Sequence, residues 1–229
     1  MPLTRRRFQQ LLLGALCATL LPDAAIADLV QGRDWRPITP PQPSSVPGKI
    51  EVLEFFAYGC PHCSDLNPLI VPWAAHLPED LVFRRMPVSF GRAAWANLAR
   101  LYFSLDLMGE LPRLDQAVFD AIHRERLSLY TEPAIRDWVT RQGVDTAAFQ
   151  AAFDSFDVNM RLKRSDQMAR EYAVDGVPMI AVDGRYAVIG LGVKGLPELL
   201  RIADELIAMA RAQRGGASAN PAAPVAGGA

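Results

Sequence analysis

Cysteine is scarce, with three in 229 residues, too few for a disulfide-knitted scaffold. A chain of this length needs no such scaffold, because a fold of about 200 residues removes about 70% of its unfolded surface from water. An excess of one charge is also missing. Lys and Arg number 24 against 25 Asp and Glu, a formal net charge of −1, which leaves no basic field to attract nucleic acid. Long hydrophobic runs are absent after the N-terminus, and the run at residues 11–21 falls short of the roughly 20 residues that span a bilayer core. Apolar residues are not lacking: a hydrophobic content of 50% with 21% charged residues excludes a disordered chain and fits a globular one.

What is present begins with a sorting signal. Arg5, Arg6 and Arg7 precede the apolar run, and Ala25-Ile26-Ala27 follows it. Basic, apolar, then small is the order of a secretory signal peptide. Thr4-Arg5-Arg6-Arg7-Phe8 also resembles a twin-arginine signal, and the arginines alone do not choose between the two routes. An amphipathic segment on a membrane surface is the other reading. Cys17 lies inside the run after Leu16, where a lipoprotein signal would want a small residue. Residues 1–27 are therefore expected to be a signal peptide, discarded together with Cys17. Cys60 and Cys63 remain, in a soluble periplasmic chain where disulfides persist.

Residues 28–48 are rich in proline and predict an irregular lead-in with one short edge strand near Trp35. Residues 49–57, with Ile50, Val52, Leu53, Phe55 and Phe56, predict a strong strand. Pro61 opens a helix running to about His76, and residues 81–88 predict a second strand. Residues 92–156 show helical spacing without a strand; one helix carries Trp95, Leu98, Leu101, Tyr102 and Leu105, and another starts near Thr131 and stops at Gly143. Residues 157–172 predict a longer helix. Residues 179–182 and 185–189 predict a hairpin about Asp183-Gly184, a type I′ signal. Residues 196–211 predict a last amphipathic helix, and 213–229 a disordered tail. The order is βαβ, a helical block, then ββα: an α/β domain of residues 49–91 and 157–212, with 92–156 inserted.

Cys60-Pro61-His62-Cys63 follows a buried strand and opens a helix. Such a pair also occurs in haem and zinc sites, but Ser64 stands where haem attachment wants histidine. A structural zinc would draw its further ligands from His62, His76, His123 or carboxylates, with no second clustered pair. A plain structural disulfide would close too small a loop to stabilise much. The redox reading gives each residue a reason. Helix-start amides and the helix dipole favour a thiolate, and His62 adds a donor or a charge. A stabilised thiolate leaves readily in exchange, so the disulfide is an oxidant. Cys60 is then the attacked sulfur and Cys63 the shielded one.

Glu54 shares a strand face with Ile50, Val52 and Phe56. A carboxyl there is costly unless protonated or paired; it is either a buried proton acceptor for Cys63 or a sheet-edge residue reaching solvent or a lysine. Val177-Pro178 precedes the hairpin.

The run from Glu54 to Cys63, Glu-Phe-Phe-Ala-Tyr-Gly-Cys-Pro-His-Cys, together with Gly176-Val177-Pro178, resembles the DsbA family of periplasmic thiol:disulfide interchange proteins. The resemblance extends over about residues 35–211. It implies a thioredoxin fold with an inserted helical domain and a redox-active Cys60–Cys63 disulfide. It also implies a cis Val177–Pro178 bond that faces the disulfide and pairs with a substrate strand, and a buried acid role for Glu54. Reduced exported proteins would be substrates, and a DsbB-type quinone-linked membrane protein the reoxidant. A monomer with no cofactor, no metal and no nucleic-acid partner is expected. Met179 departs from the small or hydroxyl residue expected after the proline, which bears on the shape of the substrate groove. A disulfide isomerase or reductase on a related fold is the nearest alternative, and a metal-binding assembly protein a more distant one.

Overall fold

The computed structural model describes residues 29–189 and 194–218. The expected signal peptide and residues 219–229 of the expected tail lie outside the described residues. Strand β2 (Ile50–Phe56) organises the rest, because all of its seven residues are buried. A strand covered on both faces carries apolar side chains on both. Ile50 and Val52 thus point one way, Leu53 and Phe55 the other.

Beside β2 lies β3 (Leu81–Pro87), in parallel register from Ile50↔Leu81 to Phe56↔Pro87. On its other side β4 (Met179–Val182) runs antiparallel, with Phe55 opposite Met179 and Glu54 opposite Ile180. With β5 (Tyr186–Val188) and β1 (Trp35–Pro37) the sheet order is β1-β5-β4-β2-β3. The lead-in thus supplies an edge strand, where Pro37 is tolerated.

Parallel strands require a crossover, here helix α1 (Pro61–Ala75). Five helices follow between β3 and β4: α2 (Ala93–Leu107), α3 (Leu111–His123), α4 (Glu132–Arg141), α5 (Thr146–Phe153) and α6 (Phe156–Glu171). Asp145 caps α5 by accepting from the Ala148 amide at 2.8 Å, and Ser155 caps α6 by accepting from Val158 at 3.1 Å. Helix α7 (Leu196–Ser218) closes the described chain. Among the described residues no helix is long and apolar enough to cross a membrane.

Three apolar clusters locate the site. Leu66 and Ile70 of α1 and Leu206 of α7 cover the Ile50–Val52 face, while Met168, Ala169 and Tyr172 cover Leu53 and Phe55. The third cluster, built on Leu101, Val118, Phe119, Trp138 and Phe153 of the helical segment, reaches Phe56, Tyr58, Cys60 and Cys63. The two thiols therefore lie at the seam between the sheet and the helices.

Within the helical block, which the spacing leaves undivided between Leu105 and Thr131, Gly109 at φ 72 separates α2 from α3. One bound differs from expectation. Helix α7 does not stop at Arg211 but continues to Ser218, into the segment expected to be disordered. The turn past Arg211 is tied down: Gln213 accepts from Arg185 at 3.1 Å, and Arg214 pairs with Asp183.

At the hairpin, Asp183 and Gly184 take φ 57 and 62, the pair of positive values that a type I′ turn needs. Gly184 has a second reason to be glycine. A Cβ there would lie 1.9 Å from the Gln42 carbonyl oxygen, while Gln42 donates its amide to the Gly184 carbonyl at 2.9 Å. Gly184→Ala is therefore expected to lower unfolding stability by about 2 kcal/mol, combining backbone strain with displacement of the lead-in. Urea unfolding measures it, and an unchanged midpoint would mean that the lead-in does not dock on the turn.

Candidate active site

The chain leaves β2 through Ala57, Tyr58 and Gly59 and enters α1 at Cys60. Cys60 is the N-cap, with extended backbone at φ −97 and ψ 120, and Pro61 occupies the first helical turn, where a missing amide costs nothing. Pro61 and His62 are exposed. Both thiols are free, Cys63 fully buried and Cys60 8% exposed.

One helical turn separates two opposite ionisation behaviours. Cys60 is lowered to about 6, first because the Cys63 thiol donates a hydrogen bond to it, against the opposing effect of burial. The Cys63 and His62 amides and the charge of His62 lower it further. Cys63 is driven strongly upward, first by burial and then by its hydrogen bond to Cys60 and the charge beside it. At pH 7 Cys60 is thus about nine-tenths thiolate, while Cys63 keeps its proton.

As a thiol, Cys60 donates to the Val177 carbonyl oxygen at 3.3 Å. On ionisation that bond is lost and the sulfur becomes an acceptor for Cys63 and the helix amides. The Val177–Pro178 bond is cis, as the resemblance implied, and both residues are half-buried beside the dithiol. A second cis bond, Thr39–Pro40, was not anticipated.

Glu54 is fully buried. Because β2 is a central strand, this carboxyl reaches neither solvent nor a lysine. Its partner is Arg85 on β3, whose Nε donates to Oε2 at 2.6 Å. Arg85 also donates to Asp115 of α3 at 2.7 Å, and Asp115 accepts from the Tyr58 hydroxyl at 2.7 Å. Burial pushes the Glu54 carboxyl upward, Arg85 pulls it down, and Asp115 pushes it up again.

Residues 51–202 match the DSBA-like thioredoxin domain. The chain belongs to the DsbA family. It is 42% identical over 199 residues to the thiol:disulfide interchange protein DsbA of Bordetella parapertussis, covering 86% of this chain and 93% of that protein. To the Pseudomonas aeruginosa protein of the same name it is 39% identical over 197 residues, 85% of this chain and 92% of the other. The crystal structure of Pseudomonas aeruginosa DsbA superposes with a TM-score of 0.78 at 37% identity, covering 82% of this chain and 97% of that one. The fold is the thioredoxin-like DsbA fold, and the chain is a protein thiol–disulfide oxidoreductase.

Two features of the site were not legible in the sequence. Met179 is interior rather than surface-facing. It is 5% exposed and packs with Phe55, Val88 and Tyr172, its Sδ 3.6 Å from an Arg36 guanidinium nitrogen. The residue after the cis proline thus lies in the interior beside the sheet, not on the surface beside Cys60. Trp95, which spacing places on a helix with Leu98, Leu101, Tyr102 and Leu105, lies against the active-site turn: a Cβ on Gly59 would meet its Nε1 at 2.9 Å. Phe90 packs 6.0 Å from the Trp95 ring, and the Arg92 guanidinium lies 4.8 Å above it. Nothing in the spacing separates such a residue from core.

Proposed function

We propose that the chain is an oxidant of the periplasm, handing a Cys60–Cys63 disulfide to reduced exported proteins. The observation that carries this reading is the placement of Cys60 at a helix N-cap beside the Val177 carbonyl, with Cys63 fully buried one turn further in. A substrate thiolate attacks Cys60 Sγ, the Cys60–Cys63 bond breaks, and its electron pair leaves on Cys63, which takes up a proton. A second substrate thiolate then attacks the substrate sulfur of the mixed disulfide and releases Cys60 as thiolate. The substrate loses two electrons and forms its disulfide, and the enzyme becomes the dithiol.

Cys60 and Cys63 are the catalytic residues of this reading. Pro61 and His62 support the thiolate, and Val177 and Pro178 offer main chain to an extended substrate segment. Glu54 holds the proton that Cys63 gains and returns. Residues 1–27 direct export and are removed. Residues 49–91 and 157–212 form the redox domain, with 92–156 as its inserted helical part. A DsbB-type membrane protein takes the electrons, and the chain works as a monomer.

The direction of transfer follows from linkage. A thiol lowered in the folded state stabilises the reduced form above its unfolded value, near 9.0, and the gain disappears as pH falls through about 6. At pH 7 part of that gain is present, and it shifts the couple toward an oxidising disulfide. Purified oxidised protein is expected to form one disulfide per chain in a reduced dithiol peptide, without another oxidant. No peptide disulfide, or an equilibrium leaving the peptide as dithiol, would contradict the reading, and a glutathione poise at the reducing end would favour a reductase.

A further inference from the structure

Cys63 gains a proton when it leaves the disulfide, and the reading above gives that proton to Glu54. Arg85 makes this difficult. A guanidinium does not deprotonate in proteins, and a permanent cation 2.6 Å from a buried carboxyl favours the carboxylate, which has no proton to give. The structure holds a counterweight. Asp115 takes a second edge of the same guanidinium at 2.7 Å and is itself held by the Tyr58 hydroxyl, two residues before Cys60.

With every group ionised, the trio carries one negative charge too many for a site where Glu54 is 0% and Arg85 8% exposed at the side chain. One carboxyl relieves that charge by keeping a proton. Asp115 accepts from two donors and borders an open groove of about 820 Å³ that Asp106 also lines. Glu54 is sealed, and among the described residues its Oε1 has no hydrogen-bond partner. Glu54 is therefore the better place for the proton. The other titratable groups bearing on it are Tyr58, Tyr102 of α2 and Cys63 of α1, all raised by burial and protonated at neutral pH.

We propose that Asp115, held by Tyr58, is a positioning residue for disulfide exchange, drawing Arg85 partly away so that Glu54 stores the proton passed to and from Cys63. The inference rests on the oxidant reading and on the role that reading gives Glu54. When the Cys60–Cys63 bond breaks, the electron pair goes to Cys63 Sγ and the Glu54 proton follows it. The new Glu54 carboxylate is then met by Arg85. In the reverse direction Cys63 returns the proton.

The test follows Glu54 by carbon NMR of its labelled carboxyl, and the single-turnover rate of oxidised protein with a dithiol peptide, both against pH. Asp115→Asn is expected to lower the Glu54 midpoint by about one unit and to move the corresponding inflection of the rate profile down equally. Asp115→Glu should restore both. In a Glu54→Gln background Asp115→Asn should no longer move the profile, whereas a merely structural defect would persist there. An unmoved Glu54 midpoint overturns the proposal. So does a moved midpoint that the rate ignores, an outcome that leaves the oxidant reading standing if the wild-type protein still oxidises the peptide. If Glu54→Gln alone keeps the wild-type profile, the proton role of Glu54 falls and Asp115 falls with it. If Asp115→Asn does not fold, Tyr58→Phe, which removes one of the two donors to Asp115, takes its place; a Glu54 midpoint and profile both identical to wild type would then count against the proposal.

Discussion

Cys60→Ser is expected to reduce oxidation of a dithiol peptide to the uncatalysed rate, because a serine oxygen neither shares a disulfide nor ionises near neutrality. Cys63→Ser should behave differently. Its Cys60 thiolate still attacks a small disulfide such as oxidised glutathione, and the product stays as a mixed disulfide because no second thiol stands beside it. The serine hydroxyl can replace the donor that Cys63 offers Cys60, the leading cause of the lowered thiol, so the nucleophile should remain largely ionised. Mass spectrometry of acid-quenched samples distinguishes the two variants. Trapping in Cys60→Ser and inertness in Cys63→Ser would reverse the assigned roles.

Arg85→Leu should be the most destabilising single change at the site. A buried ion pair adds little net stability, but removing one member leaves an uncompensated charge and costs about 3–5 kcal/mol. Here the loss exposes Glu54 to Asp115 with no cation between them, and also removes the guanidinium that sits 4.2 Å over the Phe56 ring. The deficit has a definite pH dependence. Glu54 is already raised above the ordinary 4.5, and loss of the guanidinium raises it further. A carboxyl raised in the folded state has its full relative stability below the unfolded value and loses it as pH rises through the folded one. The deficit of Arg85→Leu should therefore be largest at neutral pH and shrink as the medium is acidified toward about 4.5. Urea unfolding at a series of pH values checks this. A deficit independent of pH would mean that lost packing, rather than charge, is what Arg85 supplies.

Much of the site lies in consecutive residues and is legible for that reason. The strand that ends at Phe56, the proline at the helix start and the pair Cys60–Cys63 form one local unit, and local rules place it. The Asp183-Gly184 turn is legible for the same reason, since its two positive φ values are a demand on residue type. The partner of Glu54 is not local. Finding Arg85 requires the parallel register of β2 on β3, in which Glu54 lies directly opposite Arg85. Either arginine of the Arg84-Arg85 pair fits that position in the sequence alone. Asp115 was further out of reach, because the helical spacing of residues 92–156 does not show where α3 begins. Met179 illustrates another limit: alternation along β4 says that it faces one side of the sheet, but not that Met168 and Tyr172 cover that side. The continuation of α7 depends on Asp183 and Arg185, which belong to a different element.

The oxidant role depends most on the charge preference of one sulfur, and a pH titration of thiolate absorbance in the reduced protein tests it most directly. One thiolate per chain should appear with a midpoint near pH 6, and it should be absent in Cys60→Ser. The second should stay protonated well above the ordinary value of 9.0. A single midpoint near 9.0, or two thiolates rising together, would leave the disulfide without its tendency to be given away.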